Sequence, residues 1–215
     1  MKNQAILKII LILLVLSLCT WIFFEIADNF NKAEIQNFDL PIISFVQGFI
    51  SDHMTSVMLA ITFLGSVQGA ASITLIFVLI LWIKKYRTLS IYLAVSVALG
   101  AGVFNRILKY IFKRQRPDIM RVIQETGYSF PSGHSMGSMI LFGCLVFILF
   151  RVAKKQWSKF AGTLFAMFIV LNIGISRIYL GVHYPSDVVG GYAAGLIWVI
   201  LSAMALMLFE RKFKL

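Results

Sequence analysis

Uncharged apolar runs long enough to cross a bilayer recur from one end of this 215-residue chain to the other, and that repetition leaves few folds open. A helix needs about 20 consecutive apolar residues to span the hydrocarbon core. Backbone groups cannot stay unpaired in lipid, so each run is expected to be helical. Six crossings are predicted, at roughly 6–24, 67–83, 90–112, 135–151, 160–177 and 187–209. They make residues 1–215 one all-α domain, an integral membrane six-helix bundle, and leave no room for a separate soluble domain. With 60% of residues hydrophobic and 13% charged, the chain lacks the charge a soluble surface presents to water. The first run, Ile6 to Phe24, ends in Trp21, Ile22, Phe23 and Phe24 rather than at a small-x-small cleavage site. It is read as a retained crossing, not a signal peptide.

The stretch 25–66 breaks the pattern. Ile42, Phe45, Val46, Phe49 and Ile50 recur at helical spacing with Ser44, Gln47, Gly48 and Ser51 between them, and Met54, Val57, Met58 and Ile61 repeat that spacing. Two short amphipathic helices lying in the membrane interface fit this pattern. The segment 54–66 can also be read as an extension of the second crossing. Trp21, Trp82 and Trp157 fall near predicted helix ends, where interfacial aromatics belong; Trp198 lies mid-helix and is expected to pack. Cys19 and Cys144 sit within apolar runs, without metal-ligand spacing, and behave as small hydrophobes.

A net charge of +11 could suggest a nucleic-acid partner, but the placement of the charges argues for membrane insertion instead. With the N-terminus inside, the cytoplasmic side holds Lys2, Lys8, Lys84, Lys85, Arg87, Arg151, Lys154, Lys155, Lys159, Arg211, Lys212 and Lys214 against Glu210 alone. The other side holds eight basic and eight acidic residues, so the whole excess belongs to one face. Arg106, Lys109, Lys113, Arg114, Arg116 and Arg121 nevertheless crowd the outer end of the third crossing, against the insertion bias. A bound anion is one explanation.

Three blocks carry chemistry. Lys109 and Arg116 stand seven residues apart, close to two helical turns, and Pro117 is expected to end the helix there. A lysine charge and an arginine fork can then converge on phosphate oxygens. The second block, Pro131-Ser132-Gly133-His134, precedes the fourth crossing. Serine caps a helix, glycine lets a ligand approach the backbone, and free amides at a helix start attract anions. A histidine in that first turn can donate a proton to whatever sits there. In the third block, Ser176-Arg177 is followed by His183, Pro185 and Asp187. Pro185 suits the first turn of a helix, which lets Asp187 reach back to one ring nitrogen of His183 and leave the other basic. Each block alone has an ordinary reading: headgroup contacts, a capped helix, a structural ion pair. All three fall at the outer ends of crossings three to six, however, and ionisable groups at a lipid boundary are costly. His53, beside Asp52, is read as a surface residue, and Gly191-x3-Gly195 as a close helix contact.

Lys109-x6-Arg116-Pro117, Pro131-Ser132-Gly133-His134 and Ser176-Arg177-x5-His183-x3-Asp187 resemble, in residue type, spacing and order, the three signature motifs of the type 2 phosphatidic acid phosphatase superfamily. The resemblance implies that His183 is the nucleophile, that Asp187 orients it, and that His134 serves as general acid and base. It implies phosphate binding by Lys109, Arg116, Ser132, Gly133 and Arg177, with no metal and no cofactor. The expected activity is hydrolysis of a phosphate monoester on a membrane lipid such as phosphatidylglycerol phosphate or phosphatidic acid, through a phosphohistidine, at the extracytoplasmic face. Polyprenyl diphosphate hydrolysis, as in undecaprenyl diphosphate recycling, is the alternative. A non-catalytic lipid transporter needs cations but not an oriented imidazole, and the membrane spans argue against a soluble haloperoxidase. The partners expected are the phosphorylated lipid and the bilayer, with no nucleic acid; the oligomeric state stays open.

Overall fold

The fold is that of a computed structural model in which residues 2–30 and 32–213 are described, without the side chains of residues 2–5 and Lys8. Of the basic residues assigned to the cytoplasmic side, Lys214 and the side chains of Lys2 and Lys8 therefore lie outside the described residues. The elements are α1 (Lys2–Asn29), α2 (Ala33–Gln47), α3 (Asp52–Gly65), α4 (Val67–Ile83), α5 (Arg87–Val97), a π-helical segment (Ala98–Phe104), α6 (Asn105–Phe112), α7 (Gly133–Val152), α8 (Gln156–Tyr179) and α9 (Pro185–Phe213). Five spans are long and apolar enough to cross a membrane: Ile9–Asn29, Arg87–Phe112, Gly133–Val152, Gln156–Tyr179 and Pro185–Phe213. The pair Asp52–Gly65 and Val67–Ile83, bent by 54°, makes a sixth if counted as one. The chain is a multi-pass all-α membrane protein.

Local chemistry sets the breaks. Ser66 closes α3 and caps α4, its hydroxyl accepting from the Gly69 amide at 3.0 Å, and the bend falls there. The segment 54–66 is therefore helical but angled away from the second crossing, between the two readings the sequence left open. Residues 33–47 form the other short helix, starting earlier than the apolar repeat at 42–50, so Phe49 and Ile50 fall beyond its end. The third crossing also departs from expectation. Its helix stops at Phe112, well before Pro117, because Lys113 turns into the left-handed region (φ 49°) and redirects the chain. That turn sends Arg114 inward, where two carboxylates receive it.

The core lies along α7 and α9. Phe130, Met136, Ile140, Leu141, Cys144 and Ile173 are fully buried, while Leu14, Leu18, Leu75, Ile76, Phe165 and Phe168 are exposed on the outside of the bundle, the side lipid would cover. Trp21, Trp82 and Trp157 are exposed. Trp198 stacks on Phe104 at 5.2 Å and donates to the Ser96 carbonyl. Small residues let α9 lie directly on α7: a Cβ on Gly191 would come within 2.9 Å of the Ser132 carbonyl, and one on Gly195 within 3.0 Å of the Met136 carbonyl. The Ser132 amide donates to the Asp187 carbonyl at 3.1 Å, tying the start of α7 to the first turn of α9. At the far ends of these helices Arg151 pairs with Glu210 at 3.0 Å, beside Lys85 and Arg87.

Overpacking a tight helix contact costs about 1–3 kcal/mol. Gly191→Val is therefore expected to lower the melting temperature in detergent by several degrees and to depress activity. A wild-type melting curve would contradict this account of the α7–α9 seam.

Candidate active site

Every candidate residue from the three blocks lies at the α6 end of the bundle, on α6, on the loop 113–132, at the start of α7, at the end of α8 and around the start of α9. His183 is buried on the short α8–α9 turn. Its Nδ1 lies 3.2 Å from the Ser129 hydroxyl and 3.5 Å from Asp187 Oδ2, and its Nε2 lies 3.2 Å from Arg116 Nη1. A guanidinium has only protons to offer, so Nε2 must be the ring's acceptor and Nδ1 must carry the hydrogen. That hydrogen points at Ser129, whose hydroxyl donates in turn to Asp187. The sequence places Asp187 directly behind His183; the structure inserts a serine.

Asp187 has further partners. Its Oδ2 accepts from the Tyr184 amide at 2.9 Å and its Oδ1 from Arg114 Nη1 at 2.8 Å. Arg114 also donates to Ser186 at 2.7 Å and to Asp39 on α2 at 3.0 Å. It lies 4.1 Å from the centre of the Tyr184 ring, a cation–π contact. Asp39 closes the circuit by accepting from the Ser186 amide at 2.8 Å and the Ser186 hydroxyl at 2.6 Å.

The remaining cations converge from three elements. Arg177, buried at the end of α8, donates to Thr62 on α3 at 2.7 Å and to Glu125. Among the described residues its Nε has no hydrogen-bond partner. Arg116 donates to the carbonyls of Val182, Gly127 and Thr126 at 2.9, 3.1 and 3.1 Å, and pairs with the other Glu125 oxygen at 3.1 Å. Lys109 donates to the Tyr128 carbonyl at 2.6 Å and lies beside Gly133, where a Cβ would be 3.8 Å from its Cε. Ser132 caps α7, its hydroxyl oxygen accepting from the Ser135 amide and hydroxyl. His134 stands half-buried in the first turn of α7, against Gly65 of α3 and within electrostatic reach of Arg177, Glu125, Arg116 and Lys109.

Not all six cations of the crowded outer segment face this site. Lys109 and Arg116 do, Arg114 serves the buried carboxylates, and Arg106, Lys113 and Arg121 are exposed. Sequence reasoning assigned no role to Asp39, Ser129, Glu125 or Thr62. Asp39 alone left a signal, as an acid just ahead of the apolar repeat at 42–50.

Charges set the protonation states. Burial, then Lys109, Arg116 and Arg177, push the His183 pKa well below its ordinary 6.5, so the ring is neutral through the physiological range. For Glu125, burial works upward, but Arg177, His183 and Arg116 overcome it and bring its pKa down to about 2. Burial lowers that of Arg116, with Glu125 opposing.

A bundle with several membrane-spanning helices that gathers its buried charges at one end is first of all a polytopic membrane protein. The model of the PAP2 superfamily matches residues 89–211, and the chain belongs to that superfamily. It is 36% identical over 105 residues to phosphatidylglycerophosphatase B of Bacillus subtilis, covering 46% of this chain and 49% of that protein, so the match spans about half of that relative's length. YbjG of Escherichia coli, a proposed undecaprenyl-diphosphatase, is 30% identical over 194 residues, 82% of this chain and 89% of that protein. The crystal structure of a transmembrane PAP2-type phosphatidylglycerolphosphate phosphatase from Bacillus subtilis superposes with a TM-score of 0.81 at 25% identity, over 92% of this chain and 96% of that one.

Two outcomes test the site's physics. Removing one member of a buried ion network costs about 3–5 kcal/mol, so Arg114→Ala is expected to lose most of its thermal stability margin together with activity, even though the side-chain bonds of Arg114 go to Ser186, Asp187 and Asp39. His183 takes up a proton more readily in the unfolded chain than in the folded one. Its contribution to stability is therefore complete above about pH 6.5 and is lost as pH falls below that value. Melting temperature measured from pH 8 to pH 5 is expected to drop on the acid side, less steeply in His183→Asn; equal slopes would contradict the buried neutral imidazole.

Proposed function

We propose that this protein is a membrane lipid phosphatase that hydrolyses a terminal phosphate ester through a phosphohistidine, without a metal ion. The observation that carries the reading is the tautomer of His183: its Nδ1–H is committed to Ser129 and Asp187, which leaves the Nε2 lone pair facing Arg116 in the midst of the cations. In the first step Nε2 attacks phosphorus, the bond to the lipid oxygen breaks, and His134, protonated once the bound phosphate offsets the neighbouring cations, gives that alkoxide its proton. In the second, His134 takes a proton from water, the hydroxide attacks the phosphohistidine, and inorganic phosphate leaves with His183 restored. Phosphoryl transfer spreads charge over the equatorial oxygens, so fixed cations and amides are its main catalyst. Arg116, Arg177 and Lys109 supply the charge, and the Gly133 amide and Ser132 hydroxyl supply donors at the start of α7. Asp187 holds the tautomer and stabilises the positive ring as it forms.

The substrate we favour is a phospholipid monoester such as phosphatidylglycerol phosphate or phosphatidic acid, by similarity to the Bacillus phosphatase and its structure. Similarity to YbjG over most of both chains supports a second reading, polyprenyl diphosphate hydrolysis, which the same groups can perform. We place both termini in the cytoplasm and the site at the extracytoplasmic face. The basic end of the bundle, with Lys85, Arg87 and Arg151, then faces inward.

His183→Ala is expected to abolish phosphate release, and Asp187→Asn nearly so, in protein that still inserts and folds. Chelator is expected to leave turnover unchanged and vanadate to inhibit it. Wild-type turnover in His183→Ala ends the mechanism, and strict dependence on added Mg²⁺ ends the metal-free reading. A panel of phosphatidylglycerol phosphate, phosphatidic acid and undecaprenyl diphosphate, assayed on purified protein beside His183→Ala, decides the substrate.

A further inference from the structure

Arg116 and Arg177 do not stand open in this structure. One carboxylate oxygen of Glu125 meets Arg177 Nη2 and the other meets Arg116 Nη2 at 3.1 Å. The two arginines are fixed: their side chains are 9% and 1% exposed, and each is held by further bonds, to loop carbonyls for Arg116 and to Thr62 for Arg177. Glu125 is the displaceable member. Its side chain is 27% exposed on an irregular loop, between exposed Gln124 and exposed Thr126. Gly127 follows at φ 78°, with open space where a Cβ would stand. Glu125 also lies outside all three sequence blocks.

We infer that Glu125 is a specificity-determining residue: its carboxylate holds the place of a phosphate between Arg116 and Arg177, and only a terminal phosphate, not the phosphodiester headgroup of an ordinary membrane lipid, displaces it. The inference rests on the reading of this site as one for a lipid-borne phosphate. A diester phosphate carries one charge and two non-bridging oxygens, the same resources as a carboxylate, so it gains little by taking Glu125's place. A terminal phosphate carries roughly 1.5–2 charges near pH 7 and three free oxygens. Its third oxygen has somewhere to go: Arg177 Nε is buried without a hydrogen-bond partner among the described residues, and the start of α7, where His134 lies within electrostatic reach of Arg177, is the kind of helix end whose amides suit an anion. The exchange therefore favours a terminal phosphate on both charge and hydrogen bonds. A bare arginine pair at the membrane boundary faces diester headgroups in great excess and would be occupied by them. Monoester lipids and lipid diphosphates both end in a terminal phosphate, so Glu125 separates both from diesters without separating them from each other.

The test is binding, read without turnover. Wild-type and Glu125→Gln proteins in dodecyl maltoside micelles, which carry no phosphate, are titrated calorimetrically with inorganic phosphate and with glycerophosphoglycerol, a soluble diester. Wild type is expected to bind phosphate and to bind the diester at least a hundredfold more weakly; Glu125→Gln is expected to bind the diester at least tenfold more tightly than wild type does. Unchanged diester affinity in the variant, or weaker phosphate binding, overturns the inference, the latter by making Glu125 a support for the arginines. Hydrogen exchange on wild type keeps the test independent of how the variant folds: phosphate is expected to speed exchange at residues 124–128 as Glu125 is released, and the diester is not. Protection unchanged by phosphate overturns the inference. A protein that discriminates in this way yet hydrolyses no lipid leaves the inference standing and removes the phosphatase reading.

Discussion

The site is organised around one buried carboxylate. Asp187 is out of reach of solvent and accepts hydrogen bonds from Arg114, Ser129 and the Tyr184 amide. Burying such a group is tolerable only when its charge is matched and its lone pairs are filled, and each partner that meets this need comes from a different part of the chain. Arg114 comes from the turn after α6, Ser129 from the loop before α7, and Tyr184 from the turn before α9. Satisfying Asp187 thus assembles the motif elements, and the arrangement leaves His183 with a fixed tautomer. Asp39 extends the circuit to α2, so a helix outside the matched family region, 89–211, helps hold this end of the bundle in place.

Around this anchor the positive charge is deliberately unbalanced. Arg114 is matched by Asp39 and Asp187, whereas Arg116, Arg177 and Lys109 face the one carboxylate of Glu125. An excess of cations in a poorly solvated pocket favours an anion with more charge than a carboxylate carries, and with burial it keeps His183 uncharged. The proposed anion binding and nucleophile activation both rest on this electrostatic asymmetry.

The fold was legible in the sequence because lipid imposes simple rules. The second span at 67–83 coincides with α4, Ser132 caps α7, and Pro185 opens α9 with Asp187 in its first turn. The three blocks were legible as residue types at fixed spacing, and the topology delivers them to one end. The turn at Lys113 was not, because a left-handed lysine leaves no compositional trace and Pro117 was the more obvious stop. Ser129 and Glu125 were invisible for a related reason. Ser129 meets Asp187 58 residues away and Glu125 meets Arg177 52 residues away, and a serine or a glutamate in a loop is ordinary until the fold places it. Arg114 was noticed as one of a crowd of cations, but only the buried position of Asp39 and Asp187 distinguishes it from its exposed neighbours.

The account turns on which ring nitrogen of His183 meets phosphorus. Rapid quenching of the enzyme during turnover, followed by mass spectrometry of the peptide containing His183 and by 31P NMR under alkaline conditions, identifies the phosphorylated atom. Phosphate is expected on Nε2 of His183, because Nδ1 is committed to Ser129 and Asp187. Phosphate on Nδ1, or on another residue while His183 stays unmodified, would contradict it.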